Sequence, residues 1–351
     1  MKPNSLFWKN KNVLITGHTG FKGSWLAYWL LKMGAKISGI SLEPDNSPNL
    51  YDLLDLSNFC QSYFCDIRDN TKLKSIVRKI NPDIVIHLAA QSLVLRSYKD
   101  PSLTFETNLI GTTNILESLR FVDNTQALLV ITTDKVYENK EWNFPYREID
   151  VLGGHDPYSA SKAASEIIVD SYKKSFFFNR FPIATARAGN VIGGGDWSED
   201  RLIPDLIRAW SLGKILNVRN RESIRPWQHV IEPLSGYLIL IEKLVDNPLL
   251  NSAFNFGPEL SDESSVDDLL KIATKYLAPK KVKINFGNVE QYHESKILRL
   301  DISKSKLELG FKPKWSKEIT IEKTINWYKN FYGGKKAIEL CGEDLKAYEN
   351  T

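Results

Sequence analysis

Short apolar runs alternate with segments of helical periodicity over roughly the first half of the chain. The apolar runs predict β-strands at residues 13–16, 36–42, 62–65, 84–87, 128–132 and 183–186. Apolar positions recur at helical spacing in residues 24–33, 70–80, 103–121 and 158–174. Strands that are apolar throughout and alternate with helices are typical of a parallel sheet covered on both faces. The pattern therefore predicts an α/β fold with a doubly wound parallel sheet.

The pattern becomes less regular after residue 187, where turn-rich pieces such as GGGDW at 193–197 separate short helices. We expect residues 1–187 to form a Rossmann-type domain and residues 188–351 to form mainly a smaller, substrate-binding domain. Segments near 226–256 are expected to return to the first domain. The sequence contains no internal repeat or flexible linker, so we expect the two parts to pack closely.

Composition and charge exclude several classes of partner. The formal net charge of +4 is small for 351 residues, and no long run of Lys and Arg indicates a nucleic-acid partner. No apolar stretch approaches the roughly 18 residues of a membrane span, and the first residues lack the apolar segment of a signal peptide. The three cysteines lack metal-site spacing. We expect a cytoplasmic protein with reduced thiols, no bound metal, no membrane partner and an anionic small-molecule ligand.

A glycine-rich loop joins the first predicted strand to the first predicted helix. Its glycines allow a tight turn, let backbone amides approach a pyrophosphate and let the helix pack closely on the strand. The helix N-terminus then directs free N–H groups and its positive dipole end at the anion. The residues of this loop that we expect to hold a dinucleotide are Gly17, His18, Thr19, Gly20, Phe21, Lys22 and Gly23.

The end of the second strand bears on the choice of dinucleotide. An acidic residue there would bind the adenosine ribose 2′-hydroxyl, but the nearest acid is Glu43. No arginine is placed to pair with a 2′-phosphate, so NAD is favoured over NADP. His18 follows the first glycine directly, and we expect its bulk to crowd the pyrophosphate.

Tyr158 and Lys162 have the Tyr-x-x-x-Lys spacing, which places both side chains on one helix face. A lysine ammonium there can lower the tyrosine pKa and hold the nicotinamide ribose, so that the phenolate accepts a proton from a hydroxyl. Only this pair begins a helix just after the fifth strand, where side chains reach the nicotinamide. The same spacing recurs at Tyr28/Lys32, Tyr276/Lys280, Tyr292/Lys296 and Tyr332/Lys336.

The fifth strand is followed by Thr132, Thr133, Asp134 and Lys135, at the edge where open α/β sheets bind ligands. Thr132 or Thr133 could hydrogen-bond a reacting hydroxyl, while Asp134 and Lys135 add an acid and a potential base. A solvated charged turn would also explain these residues. Their position near Tyr158 favours the catalytic interpretation.

The motifs TGHTGFKGSWL, HLAAQSLV, TTDKVYEN, YSASK and RAGNVIGGGDW resemble those of the sugar-nucleotide 4,6-dehydratases, which are extended short-chain dehydrogenase/reductases. The resemblance covers nearly the whole chain, including RPWQHVIEPLSGY and FNFGP. Lys135 stands where most of these enzymes have Glu, as in the branch that acts on CDP-glucose. The resemblance implies an NAD-dependent lyase that acts on a nucleotide sugar. It also implies a homo-oligomer, a dimer or a dimer of dimers, formed through helices of the Rossmann domain.

The resemblance further implies three steps and a role for each polar residue. Tyr158 removes the proton of the C4 hydroxyl as NAD⁺ accepts hydride, with Thr133 positioning that hydroxyl or sharing its proton. Asp134 protonates the departing C6 hydroxyl, and hydride returns to C6. Lys135 either takes the C5 proton or stabilises the C4 enolate, because a lysine must be neutral to act as a base.

Other positions carry over from the resemblance. Asp66 and Ile67 should flank the adenine. Asn108 is either a cofactor residue or a buried helical residue that bonds the backbone. The residues expected to border the cofactor are Leu88, Ala89, Ala90, Gln91 and Thr132. The substrate diphosphate and nucleoside should meet residues that include bidentate guanidinium donors, namely Asn190, Arg201, Arg219, Arg225 and Arg299.

Two other functions use the same residues. A nucleotide-sugar 4-epimerase or reductase would need Tyr158, Lys162 and NAD, but not the acid and base offered by Asp134 and Lys135. A non-catalytic NAD-binding regulator would not need Tyr158, Lys162 or Thr133. The intact set of residues favours the dehydratase.

Overall fold

The predicted strands form one parallel sheet in the computed structural model, which describes residues 2–287 and 295–351. The strands are β1 (Asn12–Thr16), β2 (Lys36–Ser41), β3 (Gln61–Phe64), β4 (Ile84–His87), β5 (Ala127–Ile131), β6 (Ile183–Ala188), β7 (Val191–Ile192), β8 (Ile215–Val218), β9 (Ile224–Arg225), β10 (Gln228–His229), β11 (Ala253–Phe256), β12 (Ser264–Ser265) and β13 (Lys283–Phe286). The α-helices are α1 (Ser5–Trp8), α2 (Phe21–Lys32), α3 (Leu50–Leu53), α4 (Asn70–Ile80), α5 (Val94–Lys99), α6 (Pro101–Phe105), α7 (Gly111–Leu119), α8 (Pro157–Tyr172), α9 (Leu202–Leu212), α10 (Ile231–Asp246), α11 (Val266–Leu277), α12 (Ser303–Leu309), α13 (Lys317–Tyr332) and α14 (Ala337–Glu349).

The central sheet has seven strands in the order β3-β2-β1-β4-β5-β6-β11. Every neighbouring pair is parallel. This is the strand order of dinucleotide-binding Rossmann sheets, with one strand added at an edge. The order reverses between β1 and β4, so a crevice opens at their carboxyl ends. The predicted fold class is confirmed.

Both faces of the sheet are buried, which explains why its strands are apolar throughout. Val13 and Ile15 belong to the core that contains Trp25 of α2 and Leu238 of α10. Leu14, between them, belongs to the core on the other face, which residues of α4, α7 and α8 complete. Successive strand residues point to opposite faces, so neither face favours polar side chains here.

Two helices near the cleft begin or bend at defined residues. The segment predicted as one helix over 103–121 consists of α6, a π-helical turn at Glu106–Ile110 and α7. Helix α8 begins with Pro157, which suits the first helical position because its missing N–H would have no acceptor there. Asp156 caps this helix by accepting from the Ser159 amide at 2.9 Å. The start of α8, which carries Tyr158, is therefore fixed by local chemistry.

The chain beyond β6 forms short strand pairs, β7 with β10, β9 with β12 and β8 with β13, together with α9 and α11. Helix α10 packs on the central sheet, and β11 pairs with β6. The last helix also contacts the N-terminal part, because Tyr28 donates to the Ile338 carbonyl oxygen at 3.1 Å. Across the described residues, no helix has the length and apolar character to cross a membrane.

Candidate active site

A cleft of about 1340 Å³ opens at the carboxyl ends of the strands and continues toward β8 and α9. Lysine and arginine side chains outnumber aspartate and glutamate side chains in its lining, which suits ligands with several phosphates. His18, Asn108 and Arg299 are not among its lining residues. The predicted residues that do line it are Gly17, Thr19, Gly20, Phe21, Lys22, Gly23, Asp66, Ile67, Leu88, Ala89, Ala90, Gln91, Thr132, Thr133, Asp134, Lys135, Tyr158, Lys162, Asn190, Arg201, Arg219 and Arg225.

The loop after β1 makes a tight turn against the loop after β4. Gly17 has a φ of +78°, and a Cβ there would lie 2.8 Å from the backbone nitrogen of Ala89. A Cβ on Gly23 would lie 2.0 Å from the Gly17 carbonyl oxygen, so only glycine allows this approach. Helix α2 begins at Phe21, and Gly20 before it offers no side-chain cap. The first-turn amides of α2 therefore have no intrahelical acceptors and are suited to an anion.

The His18 side chain points away from the cleft, which corrects the expectation that it contacts or crowds a pyrophosphate. The ring is fully buried, and a Cβ on Gly39 of β2 would lie 2.2 Å from it. Its Nε2 lies 2.9 Å from the Ser62 hydroxyl. Burial lowers the pKa of His18 to about 4. The space left by Gly39 accommodates the ring beneath the loop, and local sequence at the loop gives no sign of it.

Hydroxyl groups stand at the end of β2, where many dinucleotide sites have a carboxylate. The Thr19 and Ser41 hydroxyl oxygens are 2.6 Å apart, and both residues line the cleft. Across this end of the cleft, Asp66 pairs with Arg68 at 2.7 Å. The hydrogen bond from Arg68 holds the pKa of Asp66 below its usual range. These groups lie where the Rossmann topology places adenosine.

Tyr158 and Lys162 lie one turn apart on α8, both more than nine-tenths buried. Burial lowers the pKa of Lys162 to about 8, although the charge of Glu166 raises it. Burial raises the pKa of Tyr158 to about 12; a hydrogen bond with Thr133 opposes this shift, and the charge of Asp134 adds to it. The pKa of Tyr158 is therefore raised rather than lowered as expected, because burial outweighs the nearby charges.

The other tyrosines with the same spacing do not reach the cleft. Tyr28, Tyr276 and Tyr332 are absent from its lining. Tyr292 lies outside the described residues. Among the described residues, only Tyr158 therefore combines the spacing with a place in the cleft.

Thr133, Asp134 and Lys135 form a turn directly after β5, beside Tyr158. The Thr133 hydroxyl donates to Asp134 Oδ1 at 2.9 Å and is also hydrogen-bonded with the Tyr158 hydroxyl. Asp134 is 2% exposed, and its Oδ2 has no partner among the described residues. A buried carboxylate oxygen is costly to leave unpaired, so this oxygen is a candidate partner for a ligand group. Thr132 instead donates to Glu166 at 2.6 Å, so Thr133 is the threonine available to a reacting hydroxyl.

Comparison with known proteins identifies the family. The sequence matches the family described as GDP-mannose 4,6 dehydratase over residues 14–324. The chain belongs to this dehydratase family. A CDP-glucose 4,6-dehydratase from Salmonella typhimurium strain LT2 is 39% identical to it, over 97% of this chain and 97% of the relative.

Solved structures share the fold of this chain. An epimerase from Methanothermobacter thermautotrophicus superposes with a TM-score of 0.81 at 21% identity, covering 94% of this chain and 95% of its own. A dTDP-glucose 4,6-dehydratase from Streptomyces venezuelae, solved with NAD and TYD bound, gives 0.77 at 23% identity, covering 93% and 99%. At these identities the likeness establishes the fold.

Lys22 connects the glycine loop of the dehydratase to its catalytic end. Sequence reasoning placed Lys22 with the phosphates, but its charge also interacts with those of Asp134, Lys162 and Arg201. Burial, together with the charges of Arg201 and Lys162, lowers the pKa of Lys22 to about 7, whereas the charge of Asp134 opposes this shift. The long side chain of a lysine at the start of α2 could have indicated from the sequence that its ammonium comes near the catalytic residues.

Arg201 and Arg299, two arginines expected to bind the substrate, differ in where their guanidinium groups lie. Arg201 lines the cleft, donating to Asp196 at 3.1 Å and to the Ser92 hydroxyl at 3.4 Å. Arg299 is a correction: its Nε donates to Glu263 at 2.7 Å and a second nitrogen donates to the Asn143 carbonyl oxygen at 3.0 Å. Its guanidinium is thus occupied outside the cleft. Basic lining residues that sequence reasoning missed are Arg68, Arg96, Lys99, Arg208 and Lys214.

Asn108 holds the cleft wall rather than lining the cleft, which corrects its assignment as a cofactor residue. Its side chain accepts from the Gln91 amide at 2.8 Å and donates to the Ser161 hydroxyl at 2.9 Å. It is 1% exposed and lies in the π-helical turn. Asn108 therefore joins the loop after β4 to α8. This is the backbone-bonding role, the alternative to contact with the cofactor.

Proposed function

We propose that the chain catalyses the NAD-dependent 4,6-dehydration of CDP-D-glucose to CDP-4-dehydro-6-deoxy-D-glucose and water. The observation that carries this proposal is the buried, unpartnered Oδ2 of Asp134 beside Thr133 and Tyr158. Tyr158, which can accept the C4 hydroxyl proton, and Asp134, which can protonate a leaving hydroxyl, therefore lie side by side. The 39% identity to a CDP-glucose 4,6-dehydratase over nearly the whole chain supports this reaction and this nucleotide.

The residues of the cleft fit NAD. The turn at Gly17 and the uncapped start of α2 suit a diphosphate, and Ser41 and Asp66 offer polar groups at the adenosine end. Lys162 lies at the opposite end, where the nicotinamide ribose would bind. When bound, NAD⁺ would supply the hydride acceptor for C4 and, once reduced, the hydride donor for C6, so that a full cycle would consume none. The NAD-bound dehydratase from Streptomyces venezuelae, which has the same fold, supports this assignment.

The side chains divide the reaction between them. Tyr158, hydrogen-bonded with Thr133, accepts the C4 hydroxyl proton during oxidation. The C4 ketone acidifies the C5 hydrogen. Lys135 either removes this proton or assists its removal by stabilising the C4 enolate. Asp134 protonates the departing C6 hydroxyl, so that water leaves across C5 and C6. Once C6 is reduced, C5 regains a proton and the product is complete.

A panel of nucleotide-linked glucoses tests the proposal. CDP-, dTDP-, GDP- and UDP-glucose are each incubated with the protein and NAD⁺, and product masses are measured. We expect CDP-glucose to lose one water without stoichiometric formation of NADH. Inversion at C4 without loss of mass would support the 4-epimerase instead. Stoichiometric NADH would indicate a simple dehydrogenase.

The proposal includes a cytoplasmic homo-oligomer. The substrate and NAD are cytoplasmic metabolites, and the buried free cysteines suit a reducing compartment. Apolar side chains are exposed on and around α6, α7 and α8, which cover one face of the sheet. They are Phe105, Ile110, Phe121, Ile167, Phe176 and Phe178. Exposed apolar side chains gathered on neighbouring helices favour association with a second copy.

A further inference from the structure

Helix α8 carries a third polar residue in register with the catalytic pair. Glu166 follows Tyr158 and Lys162 at intervals of four residues, so all three lie along one helix face. Glu166 is 5% exposed and does not line the cleft. None of the proposed steps uses it.

Four hydrogen bonds converge on the Glu166 carboxylate. Its Oε1 accepts from Thr132 at 2.6 Å and from Arg187 Nε at 3.0 Å. Its Oε2 accepts from Thr185 at 2.7 Å and from a second Arg187 nitrogen at 3.0 Å. All of these residues are at least nine-tenths buried. A buried ion pair of this kind is often no more stable than well-packed apolar side chains, so stability alone does not explain it.

The same ion pair holds both sides of the catalytic turn. Thr132 directly precedes Thr133, and its hydroxyl is bound to Glu166. On the far side of the turn, Arg187 donates to the Tyr137 hydroxyl at 3.0 Å. The turn that carries Asp134 and Lys135 is thus fixed, before and after, to the helix that carries Tyr158.

We propose that Glu166 is a positioning residue which, with Arg187, Thr132 and Tyr137, clamps the turn at residues 133–136 against α8. We call these four residues the clamp. The clamp sets Asp134 and Lys135 at the distance from Tyr158 that elimination requires after oxidation at C4. This inference rests on the proposed function. Catalysis is sensitive to such placement because a shift of about 1 Å can cost about a hundredfold in rate.

Two threonines give a matched test. Thr132 and Thr185 are each 5% exposed, and each donates to one oxygen of the Glu166 carboxylate. Thr132→Val and Thr185→Val remove the same hydrogen bond with the same change of shape. Only Thr132 is joined to the catalytic turn. Thr132→Ser restores the hydroxyl and serves as the rescue variant.

Turnover of CDP-glucose with NAD⁺ is the first readout. Because Thr132 lines the cleft, the rates are measured at saturating NAD⁺. We expect Thr132→Val to lower kcat by about tenfold or more, with the KM for CDP-glucose changed less than about threefold. The absorbance of reduced nicotinamide should build up in this variant, because oxidation precedes the slowed elimination. Thr185→Val and Thr132→Ser should stay within about threefold of wild type in kcat. Equal losses of kcat in the two valine variants would overturn the proposal.

Amide hydrogen exchange of residues 133–137 is the second readout and needs no turnover. Thr132→Val should speed exchange there, whereas Thr185→Val should not, although both variants should lower the melting temperature by similar amounts. Unchanged exchange in Thr132→Val would also overturn the proposal. If the wild-type protein removes no water from any nucleotide glucose, the proposed function fails, and the exchange comparison still decides about the clamp.

Discussion

Single side chains in the cleft owe their chemistry to burial and to neighbouring charges. Burial brings the pKa of Lys162 down to about 8 and that of Lys22 to about 7, while it raises that of Tyr158 to about 12. A tenfold change in a group's acid dissociation constant corresponds to about 1.4 kcal/mol between its two protonation states. Tyr158 is therefore present as the phenolate, the form that accepts a proton, only when positive charge lies close to it.

The charge of Lys162 predicts a pH dependence of the first oxidation. The ammonium form is the useful one, since it stabilises a phenolate at Tyr158. A lysine whose pKa is lowered to about 8 loses this charge as pH rises through that value. Single-turnover oxidation of CDP-glucose should therefore rise with pH up to about 8 and then level off, because the growing phenolate fraction of Tyr158 is offset by the loss of the Lys162 charge. A rate that continues to rise to pH 10 would contradict this role for Lys162.

Tyr158 and Asp134 should fail at different steps. Tyr158→Phe removes the proton acceptor and should abolish formation of reduced nicotinamide. Asp134→Asn should leave that oxidation measurable but slow water loss by about 10²–10⁴-fold, the usual contribution of a general acid. Rapid-mixing absorbance follows the first step, and product mass follows the second. If both variants lose oxidation equally, Asp134 does not act in elimination.

Sequence identified the residues of the catalytic turn but not the direction of every side chain. Tyr158 and Asp134 were recognisable because their place after β5 confines them to the cleft. The direction of His18 depends on Gly39 and Ser62, which lie on neighbouring strands of the sheet. Arg299 was mispredicted for a similar reason, since its partner Glu263 is distant in sequence.

At the scale of elements, α8 organises the site. It presents Tyr158, Lys162 and Glu166 on one face, and its first turn is fixed by the Asp156 cap. A cap satisfies an amide that the helix itself leaves unpaired. Any change in the cap should therefore displace the catalytic tyrosine as well as weaken the helix.

Two helix caps separate these effects. Asp156→Ala should lower the free energy of unfolding by about 1 kcal/mol and also lower kcat, because Tyr158 lies in the capped turn. Asp69→Ala removes the cap of α4, where the Asp69 side chain accepts from the Lys72 amide at 3.0 Å. Asp69 does not line the cleft. The substitution should cost similar stability with kcat unchanged. Urea unfolding and steady-state kinetics measure both; equal kinetic losses would refute the positional role.

Most of the Rossmann elements could be predicted because their periodicity is local. The predicted strand at 84–87 matches β4, and the predicted helix at 70–80 matches α4. Strand β11 was not predicted as a strand, since its place beside β6 follows from long-range pairing. The π-helical turn at Glu106–Ile110 was also missed; its Asn108 bonds with Gln91 and Ser161, which are distant in sequence.

At the scale of the whole molecule, the apolar surface on α8 should mediate dimerisation. Ile167 is 60% exposed on this surface, and Ile167→Arg should shift the protein toward monomer because a buried unpaired charge is costly. Leu307→Arg is the matched control, at a residue 85% exposed on α12. Light scattering coupled to gel filtration gives the masses. A monomeric wild type, or dissociation in both variants alike, would contradict this interface.

The proposed reaction requires that one cofactor carry hydride from C4 to C6 of the same sugar. CDP-glucose labelled with deuterium at C4 tests this most directly. Converted in ordinary water with unlabelled NAD⁺, it should give a product that has lost one water and carries the deuterium at C6. Deuterium found still at C4 of an inverted sugar, or lost to free NADH, would contradict the assignment of this chain as a 4,6-dehydratase.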